Sequence, residues 1–353
     1  DLKESIDYLN NLKIKIYGDL NMKTNKFQYL FFNCFLLVGV ASMAVSNIIM
    51  RNYTNNAYLV YLFLLPLILL TPLILPNSKQ SLKICLNNTL LRILFLSYQL
   101  IFSFVLIILY LKITNDFYYN LTSPTIILLL FLLVAVFFST YGVKNIFHIG
   151  YVISIITSCL MILQLISTIK YDFNLLKDTK LAIDSYLPLL GFIFIYLDIL
   201  ITPIFLPTKS ISKKDYFILF LIATIVNTLL ILQNYLLFDF QYFIMTKFPY
   251  ITKYLVFSNY SHFEHLDLLY LIFITIYFFF RMSLNIEYSR IFLKIKRNNY
   301  LIFIIPIILF ILIYISPNFN ITMEAINWIM FICTITIFLF LILFKFLSRR
   351  RKE

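Results

Sequence analysis

The chain is organised around long apolar runs, in which Phe, Leu and Ile recur for about twenty residues at a time. Such a run crosses a hydrocarbon core of roughly 30 Å when it is helical, at a rise of about 1.5 Å per residue. The pattern predicts an all-α integral membrane protein with ten transmembrane spans. Spans 1 to 10 are expected at Phe27–Met50, Ala57–Leu75, Leu91–Ile113, Pro124–Thr140, Ile146–Ile169, Pro188–Leu206, Tyr216–Phe238, Leu266–Tyr288, Tyr300–Ser316 and Ala325–Phe346.

Composition excludes a water-soluble fold. Of the 353 residues, 61% are hydrophobic and 13% are charged, and the mean hydropathy is +0.90. A soluble domain carries about 25% charged residues and roughly half apolar ones. No compact fold of this length could hide so many apolar side chains from water.

The basic residues predict the orientation. With the N-terminus in the cytoplasm, the cytoplasmic segments hold twenty-one of the 29 Lys and Arg residues, the outside loops hold seven, and Arg281 lies within a span. Basic residues stay on the cytoplasmic side of membrane proteins. We therefore expect a multi-pass protein with an even number of spans and both termini in the cytoplasm.

The formal charge of +13 is spread over short cytoplasmic loops and the C-terminal tail. This distribution indicates contact with anionic membrane lipid and not with nucleic acid. The four cysteines have neither pairs nor CxxC spacing, so we expect no disulfide and no metal site. His262, Glu264 and His265 are better explained as a solvated loop than as metal ligands.

The first segment, residues 1–21, is polar and mixed in charge and stops just before Met22, which looks like a natural start. We expect it to be an N-terminal extension without a functional role. Residues 22–353 are then a single ten-span domain. Its two halves are repeat one, about 27–169, and repeat two, about 188–346.

Spans 1 and 6 contain residues that disfavour a continuous helix. Small residues cluster in span 1 from Gly39 to Ser46, and span 6 holds Tyr196, Asp198, Thr202 and Pro203. Interrupted helices at matching positions of two halves are typical of transporters built from inverted repeats, where the free backbone groups bind a substrate or an ion. The alternative is that the small residues only let helices pack closely.

Two ionisable residues are predicted well inside spans, Asp198 in span 6 and Arg281 in span 8. A charge at such depth costs at least about 2.5 kcal/mol on insertion scales, so it normally faces a partner or a water-filled cavity. Either the two residues serve a ligand, or they neutralise each other as a packing pair, or Arg281 reaches the inner surface. Gln164 and Asn227 are weaker polar candidates. The predicted ligand-binding residues are Gly39, Val40, Ala41, Ser42, Tyr98, Gln99, Tyr196, Asp198, Thr202, Arg281 and Ser283.

The chain has no glycine-rich nucleotide loop, no framed acid pair and no Ser/His/Asp constellation. We therefore expect neither catalysis nor a cofactor. A membrane polysaccharide polymerase or acyltransferase would need a large outside loop with catalytic His or Arg, and only 239–265 comes near that description.

Four short segments carry a family resemblance. They are Lys26–Gln28 leading into the span with Gly39, Tyr141–Ile146, Tyr196–Pro207, in which Asp198 takes the place of a glutamate, and Phe257–Asp267 with the following Arg281-Met282-Ser283. Together with the length and span count, they resemble the spore germination permeases. These are the B subunits of endospore germinant receptors, a branch of the amino acid–polyamine–organocation superfamily.

This resemblance implies a leucine-transporter-like 5+5 inverted repeat with interrupted helices 1 and 6, in the spore inner membrane. It also implies binding of an amino acid or similar small nutrient, and assembly with an A subunit and a lipoprotein C subunit. A secondary amino acid transporter coupled to H⁺ or Na⁺ would need the same pocket, so this alternative stays open.

Overall fold

The structure, a computed structural model, describes residues 25–40, 49, 57–75, 81–117, 123–166, 188–205, 211–236, 266–295, 303–315 and 323–350. Within these ranges every regular element is a helix, and no strand occurs. The all-helical class expected from the apolar runs is therefore confirmed for the described part of the chain.

Twelve α-helices are numbered in chain order among the described residues. They are α1 Lys26–Val40, α2 Ala57–Leu70, α3 Ser81–Asn87, α4 Thr89–Phe117, α5 Pro124–Ser139, α6 Gly142–Ile166, α7 Phe194–Ile199, α8 Thr202–Phe205, α9 Lys213–Tyr235, α10 Leu266–Phe292, α11 Ile304–Ile315 and α12 Met323–Arg350. Two 3₁₀ segments, Thr71–Ile74 and Pro188–Ile193, follow α2 and precede α7.

The helices coincide with the predicted apolar runs. Helices α1, α2, α4, α5 and α6 fall in spans 1 to 5, the segment 188–205 falls in span 6, and α9 to α12 fall in spans 7 to 10. Four of them, α4, α9, α10 and α12, are long and apolar enough to cross a membrane. The bent pair α5 and α6 raises the number to five if it is one span, and three shorter apolar helical stretches lie at Tyr58–Ile74, Leu190–Phe205 and Ile304–Tyr314.

A sharp corner joins α5 to α6, whose axes turn by 109°. Gly142 makes this corner with φ 81°, a left-handed conformation that residues with a Cβ rarely adopt. Because one glycine completes the turn, α6 begins there and includes residues 142–145, which the sequence had suggested as part of a loop.

Large apolar side chains cover the outer faces of the helices. In α5 alone, Ile126, Leu130 and Phe137 are more than half exposed, which in water would be a severe liability. In lipid the same surface is the expected one, because hydrocarbon solvates it as well as a protein core would. The exposed apolar faces therefore support a membrane location.

The broken segment 188–205 is the centre of the helix assembly. Every residue from Phe192 to Phe205 for which exposure was determined is buried, and α7 packs against α1 and α12. Helices α4 and α10 also pack against each other. Phe102 of α4 reaches Phe194 with ring centroids 5.2 Å apart. Whatever polar groups this segment carries must find their partners inside the protein.

Candidate functional site

The break in the central segment is caused by its proline. Helix α7 ends at Ile199, Leu200 and Ile201 form a turn, and α8 begins at Thr202. Pro203 has no N–H to donate to Ile199, four residues earlier, and its ring would clash with that carbonyl in a continuous helix. The interruption therefore lies inside the interval Tyr196–Pro203 that the sequence indicated.

Asp198 lies in the last turn of α7, directly before this break, and forms a buried ion pair. One carboxylate oxygen, Oδ2, pairs with Nη2 of Arg281 on α10. The other, Oδ1, accepts a hydrogen bond of 2.7 Å from the Tyr98 hydroxyl on α4. The side chains of Asp198 and Arg281 are 5% and 1% exposed. Two opposite charges and one hydroxyl, from three spans distant in sequence, thus meet in one place.

Aromatic rings enclose the guanidinium of Arg281. Its central carbon lies 4.9 Å from the ring centre of Phe102, a geometry in which the electron-rich face attracts a cation. Phe102 stacks on Tyr98 at 5.8 Å. Since apolar and aromatic groups surround the pair, its electrostatic attraction is little screened by solvent.

The polar capacity of the site is only partly used by the described residues. Nε of Arg281 and both amide atoms of Gln99 are buried without a hydrogen-bond partner among them. Native proteins leave few buried polar atoms in that state. Arg281 can therefore still donate to a further acceptor without losing Asp198.

Thr202 and Tyr196 connect the broken segment to other helices. The Thr202 hydroxyl donates to Oδ1 of Asn33 on α1 at 3.4 Å. The Tyr196 hydroxyl pairs with Thr224 on α9 at 3.0 Å. Of these two predicted site residues, Thr202 therefore joins spans 6 and 1, whereas the Tyr196 hydroxyl is held by span 7.

Ser283 bonds within its own helix, since its hydroxyl donates to the Phe279 carbonyl at 2.7 Å. Among the described residues its hydroxyl is therefore bonded within α10 and makes no hydrogen bond to the ion pair, although it lies only two residues from Arg281.

Gly39 gives α1 a close approach to α10. A Cβ placed on Gly39 would overlap the Tyr277 ring, a contact of the kind that the packing interpretation expects. The Val40 backbone ends α1. The predicted interruption of span 1 and the candidates Ala41 and Ser42 lie outside the described residues.

Sequence reasoning missed three partners of the central segment. Asn33 accepts from Thr202, Phe102 lies under Arg281, and Asn285 donates to Ser103 at 3.1 Å in the neighbouring contact between α10 and α4. A signal existed for the two asparagines, because a buried amide inside an apolar run usually has a partner on another helix. No such signal existed for Phe102, one of 38 phenylalanines.

Among the described residues, no group of three His, Cys, Asp or Glu side chains could hold a metal ion. His262, Glu264 and His265 lie outside them, as does the loop 239–265. Cys34, Cys85, Cys159 and Cys333 are all free thiols.

No family model matches the chain, and no curated protein or solved structure matches it. Function is therefore inferred from the geometry of the chain's own residues.

Proposed function

We propose that this protein is a nutrient-sensing, permease-like subunit of a spore germinant receptor, and that it binds an amino acid or a similar small molecule at the Asp198–Arg281 pair. The buried ion pair beside a broken helix carries the proposal. The protein would act together with an A subunit and a lipoprotein C subunit of the receptor, in the spore inner membrane.

The chemistry of the pair suits a zwitterion. A guanidinium presents a fork of donors that matches a carboxylate, and a carboxylate binds an ammonium group. An α-amino acid carries both complements on one carbon atom. It can replace each charge of the Asp198–Arg281 pair by one of the same sign, so neither side chain is left buried without a counter-charge.

The packing of the spans supports a 5+5 repeat. Four contacts between spans each have a counterpart in which both span numbers differ by five. Spans 1 and 5 pack together, and so do spans 6 and 10; the contact of spans 3 and 10 corresponds to that of spans 8 and 5. In the same way, the contact of spans 4 and 8 corresponds to that of spans 9 and 3, and the contact of spans 7 and 1 to that of spans 2 and 6. Adding or subtracting five converts each of these contacts into its counterpart, and the contacts of span 2 with 7 and of span 3 with 8 convert into themselves.

A repeat of five spans has a consequence for orientation. Because five is odd, the second half begins on the opposite side of the membrane from the first, so the halves are inverted. Inverted repeats with a site at the interrupted helices are the transporter architecture that the sequence suggested. The ten-span, leucine-transporter-like arrangement belongs to this proposal.

Ligand binding by purified protein in detergent tests the proposal. Among the common amino acids, at least one should raise the thermal midpoint, because a ligand that binds only the folded state stabilises it. Blocking either end of that amino acid, as the amide or the N-acetyl derivative, should remove the shift. Asp198→Asn should abolish it, whereas Thr334→Val, which removes a hydroxyl bonded to Gly191 on another interface, should not.

A secondary transporter is the second candidate, because the same pair and the same repeat suit it equally. Uptake of the stabilising amino acid into proteoliposomes by the isolated chain, driven by H⁺ or Na⁺, would favour transport. Binding without uptake, together with a germination defect of Asp198→Asn spores in the presence of the partner subunits, would favour sensing. If no common amino acid raises the thermal midpoint in a way that depends on both of its free ends, the sensing and the transport proposals are both refuted.

A further inference from the structure

A line of buried polar side chains leads away from the ion pair along α10. Arg281 and Tyr288 are seven residues apart, so they lie on the same helix face, two turns from each other. Both are about 1% exposed. The Tyr288 hydroxyl contacts the Thr202 side chain at the start of α8, and the Tyr288 ring stacks on Phe205 with centroids 3.9 Å apart.

The line continues on α1. Thr202 donates to Asn33 at 3.4 Å, and Asn33 contacts the Tyr29 hydroxyl one turn earlier. Tyr29 in turn shares a hydrogen bond of 2.7 Å with the hydroxyl of Tyr216 on α9. Asn33, Tyr29 and Tyr216 are all buried.

The line reaches the protein surface at an ion pair. Nζ of Lys26 lies 2.7 Å from Oδ1 of Asp215, with side chains 42% and 15% exposed. Ser212 holds the other carboxylate oxygen through its N–H at 2.7 Å and its hydroxyl at 2.9 Å. Lys26, Tyr29 and Asn33 follow a spacing of three and four residues, so they form one stripe of α1.

The middle of the line is incompletely bonded. Nδ2 of Asn33 and the hydroxyl of Tyr288 have no hydrogen-bond partner among the described residues, so two links are polar contacts without full hydrogen-bond geometry. Polar side chains that only held helices together would be bonded in pairs. Here, after the step of two turns along α10 from Arg281 to Tyr288, neighbouring members are in polar contact and two of them keep spare capacity, and this favours a path for water or a polar solute.

We propose that this series, from Arg281 through Tyr288, Thr202, Asn33 and Tyr29, is the access route between the Asp198–Arg281 site and the membrane face at which Lys26 lies. Two layers close it, the Tyr29–Tyr216 pair and the Lys26–Asp215 pair. The use of the route by a nutrient rests on the proposed function, but its existence does not.

The two closing layers can be separated by one movement. Both layers join the first turns of α1 and α9, so one movement of α1 away from α9 breaks them together. A partly exposed ion pair contributes little to stability, and a hydrogen bond between two hydroxyls adds only a modest amount. The Asp198–Arg281 pair joins α7 to α10 and belongs to neither layer.

Accessibility of a single cysteine tests the route without any ligand. In a background with the four native cysteines replaced by alanine, Thr202→Cys reports on the middle of the line. Vesicles of each orientation are treated with a membrane-impermeant methanethiosulfonate reagent. Asp215→Asn combined with Tyr216→Phe should raise the rate of modification at least tenfold from the Lys26 face and leave the rate from the opposite face unchanged.

Two further variants complete the design. Exchanging the charges, Lys26→Asp with Asp215→Lys, should keep the rate at its parental level, because the outer layer is rebuilt. Arg92→Gln removes a charge of α4, a helix that contributes no member to the line, where it bonds the Phe292 carbonyl at 3.0 Å, and should change nothing. If the variant that combines Asp215→Asn with Tyr216→Phe folds poorly, Lys26→Gln alone should still raise the rate of cysteine modification several-fold, because Lys26 is the most exposed residue of the two closing layers.

Parental rates in both the Asp215→Asn/Tyr216→Phe variant and the Lys26→Gln variant would overturn the route, and so would a rise from both faces or with Arg92→Gln. A confirmed route in a protein that binds no amino acid would refute the proposed function and leave the route standing.

Discussion

Asp198 obtains its partners from helices far away in the sequence, Tyr98 of α4 and Arg281 of α10. At the scale of single residues this arrangement makes each group dependent on the others. A buried charge with its partner removed costs much more than the net stabilisation of the intact pair, because it keeps its desolvation penalty. Substitutions at this site therefore report on coupling and not on isolated contacts.

The Tyr98 hydroxyl should contribute measurably to stability. Tyr98→Phe removes a hydrogen bond to a buried carboxylate, and we expect a loss of about 1.5–3 kcal/mol in the free energy of unfolding in detergent. Tyr61→Phe is the matched control, since the buried Tyr61 hydroxyl has no hydrogen-bond partner among the described residues. Its loss should stay below about 0.5 kcal/mol. Equal losses would contradict the role of Tyr98.

Asp198 and Arg281 should behave as one unit. Asp198→Asn and Arg281→Gln each leave a buried charge unpaired, and each should cost on the order of 3–5 kcal/mol. The double variant carries no unpaired charge and should cost clearly less than the sum, as measured by a double-mutant cycle of unfolding. If ligand response stays impaired in the double variant, the charges also serve the ligand. Additive losses would show that the pair is not coupled.

Single elements are shaped by residues that act on the backbone. Pro203 breaks the central segment between α7 and α8, and Gly142 turns the chain between α5 and α6. Gly39 and Gly150 let aromatic rings of neighbouring helices approach the α1 and α6 backbones. Glycine occurs only five times in the chain, and at Gly39, Gly142 and Gly150 the structure has a close contact or a turn that a Cβ would disturb.

Gly39→Ala tests the contact between α1 and α10. The added methyl group overlaps the Tyr277 ring, so we expect a loss of about 1–3 kcal/mol from overpacking. In a Tyr277→Leu background the same substitution should cost clearly less, because the smaller side chain makes room. Thermal unfolding of the four proteins gives the comparison, and an equal cost in both backgrounds would place the strain elsewhere.

Element positions followed from the sequence because each apolar run is separated from the next by polar residues. Helix ends were less predictable. Helix α4 runs from Thr89 to Phe117, beyond the predicted Leu91–Ile113, and at its C-terminal end the buried Thr114 hydroxyl bonds back to the Tyr110 carbonyl at 2.9 Å, so this polar residue does not end the helix. The pairing of Asp198 with Arg281 was one of three open interpretations and is confirmed as a contact. Phe102 was not found, because packing between helices leaves no mark in the local sequence. Asn33 was missed although an amide inside an apolar run was a signal for it.

At the scale of the whole molecule, several contacts between the helical segments have a counterpart that is offset by five spans. This relation could not be seen in the sequence, where the two halves share little beyond apolar runs and residues that disfavour a continuous helix. It follows from which faces meet, and many combinations of Leu, Ile and Phe provide equivalent faces. The ten-span topology therefore requires a direct test.

The corner between α5 and α6 decides the span count. In the ten-span topology α5 crosses the membrane by itself. We therefore expect Ser123→Cys to be labelled by an impermeant maleimide only from outside, and Tyr141→Cys only from the cytoplasm. Both positions are exposed, and the cysteine-free parent is the control. If α5 and α6 were one broken span, position 141 would lie within the bilayer and resist labelling from either side.

The ion pair also constrains how the spans are inserted into the membrane during synthesis. Asp198 leaves the ribosome about eighty residues before Arg281, which at roughly 5–20 residues per second is an interval of several seconds. During that time span 6 offers the translocon a carboxylate with only Tyr98 as a partner. We expect this segment to remain with the insertion machinery until span 8 arrives and supplies the counter-charge, so biogenesis of the two halves is joined at a single residue pair.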